Sequence, residues 1–120
     1  MPRTIPRKLN PKVRMKYLDI LWTSIAELES RDQVKNFFKD LLSETEAIML
    51  SKRILIAKYL LEGQSYNEIS SKLKAGSGTI ARIHRWLNSG FGGYEKAVKQ
   101  FEKALSKRKK SAHLKEPSLP

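Results

Sequence analysis

SYNEISSKLKAGSGTIARIHRWLN, residues 65–88, is the stretch on which the fold turns. Ser65 precedes Glu68 at the spacing of a capping box, in which hydroxyl and carboxylate satisfy each other's free backbone amides. Behind it Tyr66, Ile69 and Leu73 give one buried face to a helix of about two turns. Lys74-Ala75-Gly76-Ser77 reads as a tight turn, with Gly76 free to take positive φ and Ser77 placed to cap the second helix. That helix runs to about Asn88, ahead of Gly90, with Ile80, Ile83 and Leu87 on the side that meets Ile69 and Leu73. Gly78, Thr79, Arg82 and Arg85 are left facing outward. Two short helices around a glycine turn form a helix-turn-helix, whose second helix can enter a DNA major groove with its N-terminal residues at base edges. Ser77, Gly78 and Thr79 are small enough for close approach, and Arg82 can reach base or phosphate.

Helix starts are legible on either side of this motif, and no strand pattern stands out. The expected class is therefore all-α, with six helices. Asn10-Pro11 opens the first, which carries a wide apolar stripe through Tyr17, Leu18, Leu21, Trp22 and Ile25 to Leu28. Ser30 with Gln33 opens a short helix to about Leu42, and Ser43 with Glu46 opens a third that ends before Gly63. In this third helix Ile48, Met49, Leu50, Ile54, Leu55, Ile56, Tyr59, Leu60 and Leu61 cover nearly the whole circumference. A helix apolar all round has to be buried all round, and in so short a chain a partner subunit is the expected source of cover. Gly92-Gly93 breaks the chain, and Ala97, Val98, Phe101, Ala104 and Leu105 line a last amphipathic helix that runs into Lys107-Arg108-Lys109-Lys110. The chain thus divides into a basic arm over residues 1–10, a helical domain over 11–108 with its helix-turn-helix at about 65–88, and a disordered tail over 109–120.

Charge narrows the choice of partner. With 24 Lys and Arg against 12 Asp and Glu the net charge is +12. Its distribution is uneven, since residues 1–16 contain no acid and residues 69–94 carry Lys72, Lys74, Arg82 and Arg85 with no acid between them. The internal acid-free segment coincides with the helix-turn-helix, as a surface lying against phosphates requires. A hydrophobic content of 40% is too high for a disordered chain. The absence of cysteine excludes disulfides and thiolate metal sites. No signal peptide and no run of about 18 apolar residues is found, so a cytoplasmic, nucleoid-associated protein is expected.

Leu42-Ser43 with Glu46, then Arg53, Leu60-Leu61-Glu62-Gly63, Ser65-Tyr66-Asn67-Glu68-Ile69, Leu73, Ala75-Gly76 and Thr79-Ile80-Ala81-Arg82 resemble the tryptophan repressor superfamily. The stretch from Gly63 through Gly92-Gly93-Tyr94 is more similar still to its TrpR-like YerC/YecD branch. The resemblance covers roughly Leu42 to Leu105. It implies an intertwined homodimer and a repressor of transcription that reads half-sites about one helical turn apart. It further implies an effector pocket of Arg53, Arg82, Ile83 and Trp86. In that pocket Arg53 matches the family's arginine for the ligand carboxylate, and Arg82 matches the arginine that covers the indole. Ile83, however, replaces a glycine, and Trp86 replaces the serine that meets the ligand amino group. Both changes add bulk where a ligand needs room, so L-tryptophan is not expected as corepressor, and another effector is left open.

The DNA-facing residues are accordingly Ser77, Gly78, Thr79 and Arg82 near the bases, with Lys72, Lys74, Arg85 and the tail lysines on phosphates. His84 and His113 have no acidic or cysteine partners at ligand spacing, so no metal and no cofactor is expected. No nucleophile motif, phosphate loop or convergent set of carboxylates points to an enzyme. The alternatives to sequence-specific recognition are nonspecific binding of DNA or RNA through the tails, and a helical protein-interaction module.

Overall fold

The structure, a computed structural model, describes residues 3–110, with side chains as far as Arg108. The expected disordered tail falls, from residue 111 onward, outside the described residues. Six α-helices follow a single 3-10 turn at Pro6–Lys8, and no strand occurs among the described residues. The chain divides into two compact units, Met1–Glu44 and Thr45–Pro120.

In the first unit α1 spans Pro11–Ala26 and α2 spans Arg31–Leu41. Asn10 caps α1 by accepting from the Lys12 amide at 2.9 Å, and Pro11 supplies the pre-set φ of the first turn. Ser30 accepts from the Gln33 amide at 3.1 Å. The return half of the expected box is displaced by a residue, because the Gln33 side chain accepts from the Glu29 amide at 2.8 Å instead of from that of Ser30. The 3-10 turn, which no sequence signal marked, gives the basic arm local order: the Lys8 and Leu9 amides donate to Ile5 and Pro6 carbonyls.

The second unit holds α3 (Glu44–Leu61), α4 (Tyr66–Leu73), α5 (Ser77–Ser89) and α6 (Gly93–Lys110). Its core joins Ile56, Ala57 and Tyr59 of α3 to Ile69 and Leu73 of α4, Ile80 and Ile83 of α5, and Val98 of α6. No polar or charged side chain is buried among the described residues, so apolar packing carries this core. Gly63, at φ 83, ends α3 in the left-handed region that only glycine enters without strain. Near the end of α3 the Lys58 ammonium donates to Glu62, which pushes its pKa above the ordinary 10.5 although partial burial opposes the shift. α3 is far from buried all round in the single chain, since Ile48, Met49, Leu50, Ile54 and Leu61 all remain exposed.

Candidate nucleic-acid interface

Ser65 and Glu68 form the full reciprocal box that starts α4, with the Glu68 amide donating to Ser65 Oγ at 3.1 Å and the Ser65 amide to Glu68 Oε1 at 3.3 Å. α4 ends where Leu73 is spent in the core. The turn after it departs from its expected chemistry at two points. Lys74, not Gly76, takes the left-handed conformation, at φ 52 and ψ 44. The chain has to reverse directly after Leu73, and Gly76 comes too late to do it. The Ser70 hydroxyl, donating to the Ala75 carbonyl at 2.8 Å, holds the strained turn closed. Gly76 instead has extended backbone, at φ −73 and ψ 151, and is itself the N-cap of α5. Ser77 is thus the first helical residue rather than the cap, and no side chain caps the helix. The amides of the first turn are left to an outside acceptor, at the positive end of the helix dipole.

Ile80 and Ile83 are buried and Leu87 packs against the same core. Helical geometry places Gly78, Arg82, Arg85 and Ser89 on the opposite face, and all four are exposed. Ser77 and Thr79 flank that face at the exposed N-terminus, while Lys72 and Lys74 stand exposed on the preceding helix and turn. The sequence-predicted DNA-facing residues are therefore brought onto the solvent side of one motif. Gly78 has a particular meaning here. A Cβ built on it meets nothing within 4 Å, so nothing inside the protein demands a glycine within this helix. Glycine weakens a helix by roughly 0.5–1 kcal/mol relative to alanine, and close approach from outside is a reason to tolerate that loss.

Two of the four effector-pocket candidates share a cavity. Arg82 and Trp86 line an open cavity of about 400 Å³ together with Arg85 and Ser89. Ile83 is packed in the core at 2% exposure, Arg53 is an exposed residue of α3, and neither lines that cavity. Trp86 is half exposed, with its ring alongside Gly90. A Cβ on Gly90 would lie 2.4 Å from the Trp86 carbonyl oxygen, which explains the glycine that stops α5.

Sequence reasoning missed two features of this surface. Ser89 extends the outer face of α5 by another turn, although its spacing from Arg82 and Arg85 was a usable signal. Tyr66 Oη and His84 Nδ1 lie 2.8 Å apart, tying the two helices of the motif together at the surface. A bond between exposed polar residues so distant in sequence leaves no periodic trace. Among the described residues no group of three or more His, Cys, Asp or Glu side chains could hold a metal, and no helix is long and apolar enough to cross a membrane.

Comparison with known proteins agrees with this architecture. The YerC protein of Bacillus subtilis (strain 168) is 38% identical over 87 residues, covering 72% of this chain and 84% of that protein. A TrpR-like protein from Eubacterium eligens ATCC 27750 superposes with a TM-score of 0.68 at 32% identity, over 78% of this chain and 96% of its own. A crystal structure described as a putative Trp repressor from Staphylococcus aureus superposes at 0.67 with 33% identity, over 76% of this chain and 91% of its own. Residues 16–102 match the model of the Trp repressor protein family, from within α1 to within α6. With the helix-turn-helix of α4 and α5 at its centre, this chain belongs to the Trp repressor family of DNA-binding regulators.

Proposed function

We propose that this protein is a sequence-specific regulator of transcription, acting as a repressor, that binds duplex DNA as a homodimer with one α5 per subunit in each of two successive major grooves. The observation that carries the reading is the outer face of α5. An uncapped helix N-terminus, a glycine with open space above it and two arginines lie opposite the apolar face, in a segment without a single acid. Arg82 and Thr79 read base edges, with Ser77 and Gly78 permitting the approach. Lys72, Lys74 and Arg85 hold phosphates on either side. The homodimer is supported by apolar side chains that one chain leaves in water, among them Tyr17, Ile20 and Trp22 of α1 and Met49, Leu50 and Ile54 of α3.

L-tryptophan is not the corepressor in this reading, because the isoleucine and tryptophan at positions 83 and 86 add volume to the family's pocket. The arm over residues 1–10 and the basic end of α6 add phosphate affinity without specificity. Selection of bound duplexes from a random pool tests the central claim. A single enriched motif with two half-sites about 10 base pairs apart is expected. A pool that stays random would leave only nonspecific binding. Enrichment should not depend on L-tryptophan in the buffer, and a motif that appears only when it is added would overturn the corepressor reading.

A further inference from the structure

A second concavity of the Thr45–Pro120 unit, about 360 Å³ in volume, lies between α3 and the end of α4, away from Arg82 and Trp86. Ile48, Leu55 and Leu73 supply its apolar surface. Ile48 and Leu55 lie on one face of α3, two turns apart. The edge is polar and cationic, with Ser51 and Lys52 on α3 and Lys72 and Lys74 at the end of α4 and in the turn. No acidic residue lines it. The Lys72 ammonium is already engaged, 3.0 Å from Gln64 Oε1 and 4.9 Å from the centre of the Tyr59 ring. Lys52 and Lys74 are left as the cationic pair, and neither forms an ion pair among the described residues.

Lys74 is also the one non-glycine residue with positive φ among those described. Such a conformation disfavours a residue with a Cβ by roughly 1–2 kcal/mol, and glycine would avoid it. Lys74 is exposed in that conformation, at the edge of the cleft. An apolar floor under two unpaired ammonium groups is complementary to a small molecule with an apolar body and one anionic head. It is poorly suited to an apolar helix of a second copy, which would desolvate those ammoniums without a counter-charge.

We propose that this cleft binds an amphipathic organic anion of the monocarboxylate class, its apolar body on Ile48, Leu55 and Leu73 and its carboxylate between Lys52 and Lys74. Resting on the DNA reading above, we further infer that occupation releases DNA. The carboxylate takes Lys74 from its phosphate and places a negative charge beside the helix-turn-helix turn, where it repels the backbone. The ligand thus opposes DNA binding from a place distinct from the pocket of Arg53, Arg82, Ile83 and Trp86.

Decanoate is the probe, titrated calorimetrically into the full-length protein without DNA, with decanol as its uncharged counterpart. A dissociation constant on the order of 100 µM is expected for decanoate, with decanol at least tenfold weaker. Lys52→Gln should weaken decanoate at least tenfold and leave duplex affinity within about twofold, because Lys52 stands outside the DNA-facing set. Ser51→Trp, which fills the cleft from an exposed position, should abolish decanoate binding. No binding to the wild type, or equal binding to the wild type and both variants, would overturn the site. Saturating decanoate should raise the dissociation constant of the selected duplex at least tenfold for the wild type and leave it unchanged for Ser51→Trp. Decanoate bound without loss of duplex affinity would overturn the regulatory half. Decanoate bound by a protein that binds no duplex would overturn the proposed function and leave the site standing.

Discussion

At the scale of single residues the outer face of α5 separates reading from anchoring. Arg82 stands about a turn and a half into the helix, exposed and opposite Ile80 and Ile83, where a bidentate contact to a base edge is geometrically open. Replacing it with alanine should cost about 1–3 kcal/mol on the selected duplex and much less on random duplex, as measured by competition binding. Equal losses on both would make Arg82 a phosphate anchor. Neutralising Lys107, Lys109 and Lys110 should weaken both duplexes alike and flatten the slope of log affinity against log salt by roughly 0.9 for each phosphate that goes unneutralised. Gly78 yields an opposed pair of effects. With open space above its backbone, Gly78→Ala should raise stability by about 0.5 kcal/mol in thermal melts and lower duplex affinity, because the added methyl group stands where DNA approaches. A variant more stable and equally tight would show that α5 does not approach DNA at this residue.

At the scale of elements, α4 and α5 were legible because each is a short amphipathic helix with a marked start. Ser65 and Glu68 had the right residues at the right spacing, and the reciprocal bonds form. Ser65→Ala should therefore cost about 1 kcal/mol in chemical denaturation. A loss below a few tenths would mean that the cap is replaced by water. The turn between the helices was read less well. Turn chemistry favours glycine for the left-handed residue, but Leu73 is anchored in the core and fixes where α4 stops. The chain then reverses at Lys74, whatever its preference, and Ser70 secures the result. Likewise Ser77 has the chemistry of a cap but falls inside the helix, because Gly76 already occupies the capping position.

At the scale of the whole molecule, α1 and α3 each leave large apolar side chains exposed, which a second copy would cover. Met15, Tyr17, Ile20 and Trp22 of α1 are each more than half exposed, at 67, 62, 63 and 58%. Each such side chain, once fully covered, contributes about 1.5–3 kcal/mol. Sedimentation at micromolar concentration should accordingly show twice the 13.8 kDa chain mass, with a melting temperature that rises with protein concentration. A folded monomer at those concentrations would refute the homodimer. The helical class, the order of the six helices and the buried face of α5 were written in local sequence signals, because amphipathic period, capping residues and charge act over a few neighbouring residues, while the family was legible as a resemblance of motifs. Tertiary structure alone decided that Lys74 bears the strained turn, that Ile83 is consumed by the core while Trp86 stays half in water, and that Lys52 and Lys74 border one cleft. Those outcomes depend on where Leu73 and the core of α3 come to rest, and no local pattern encodes the distance between residues that only packing brings together.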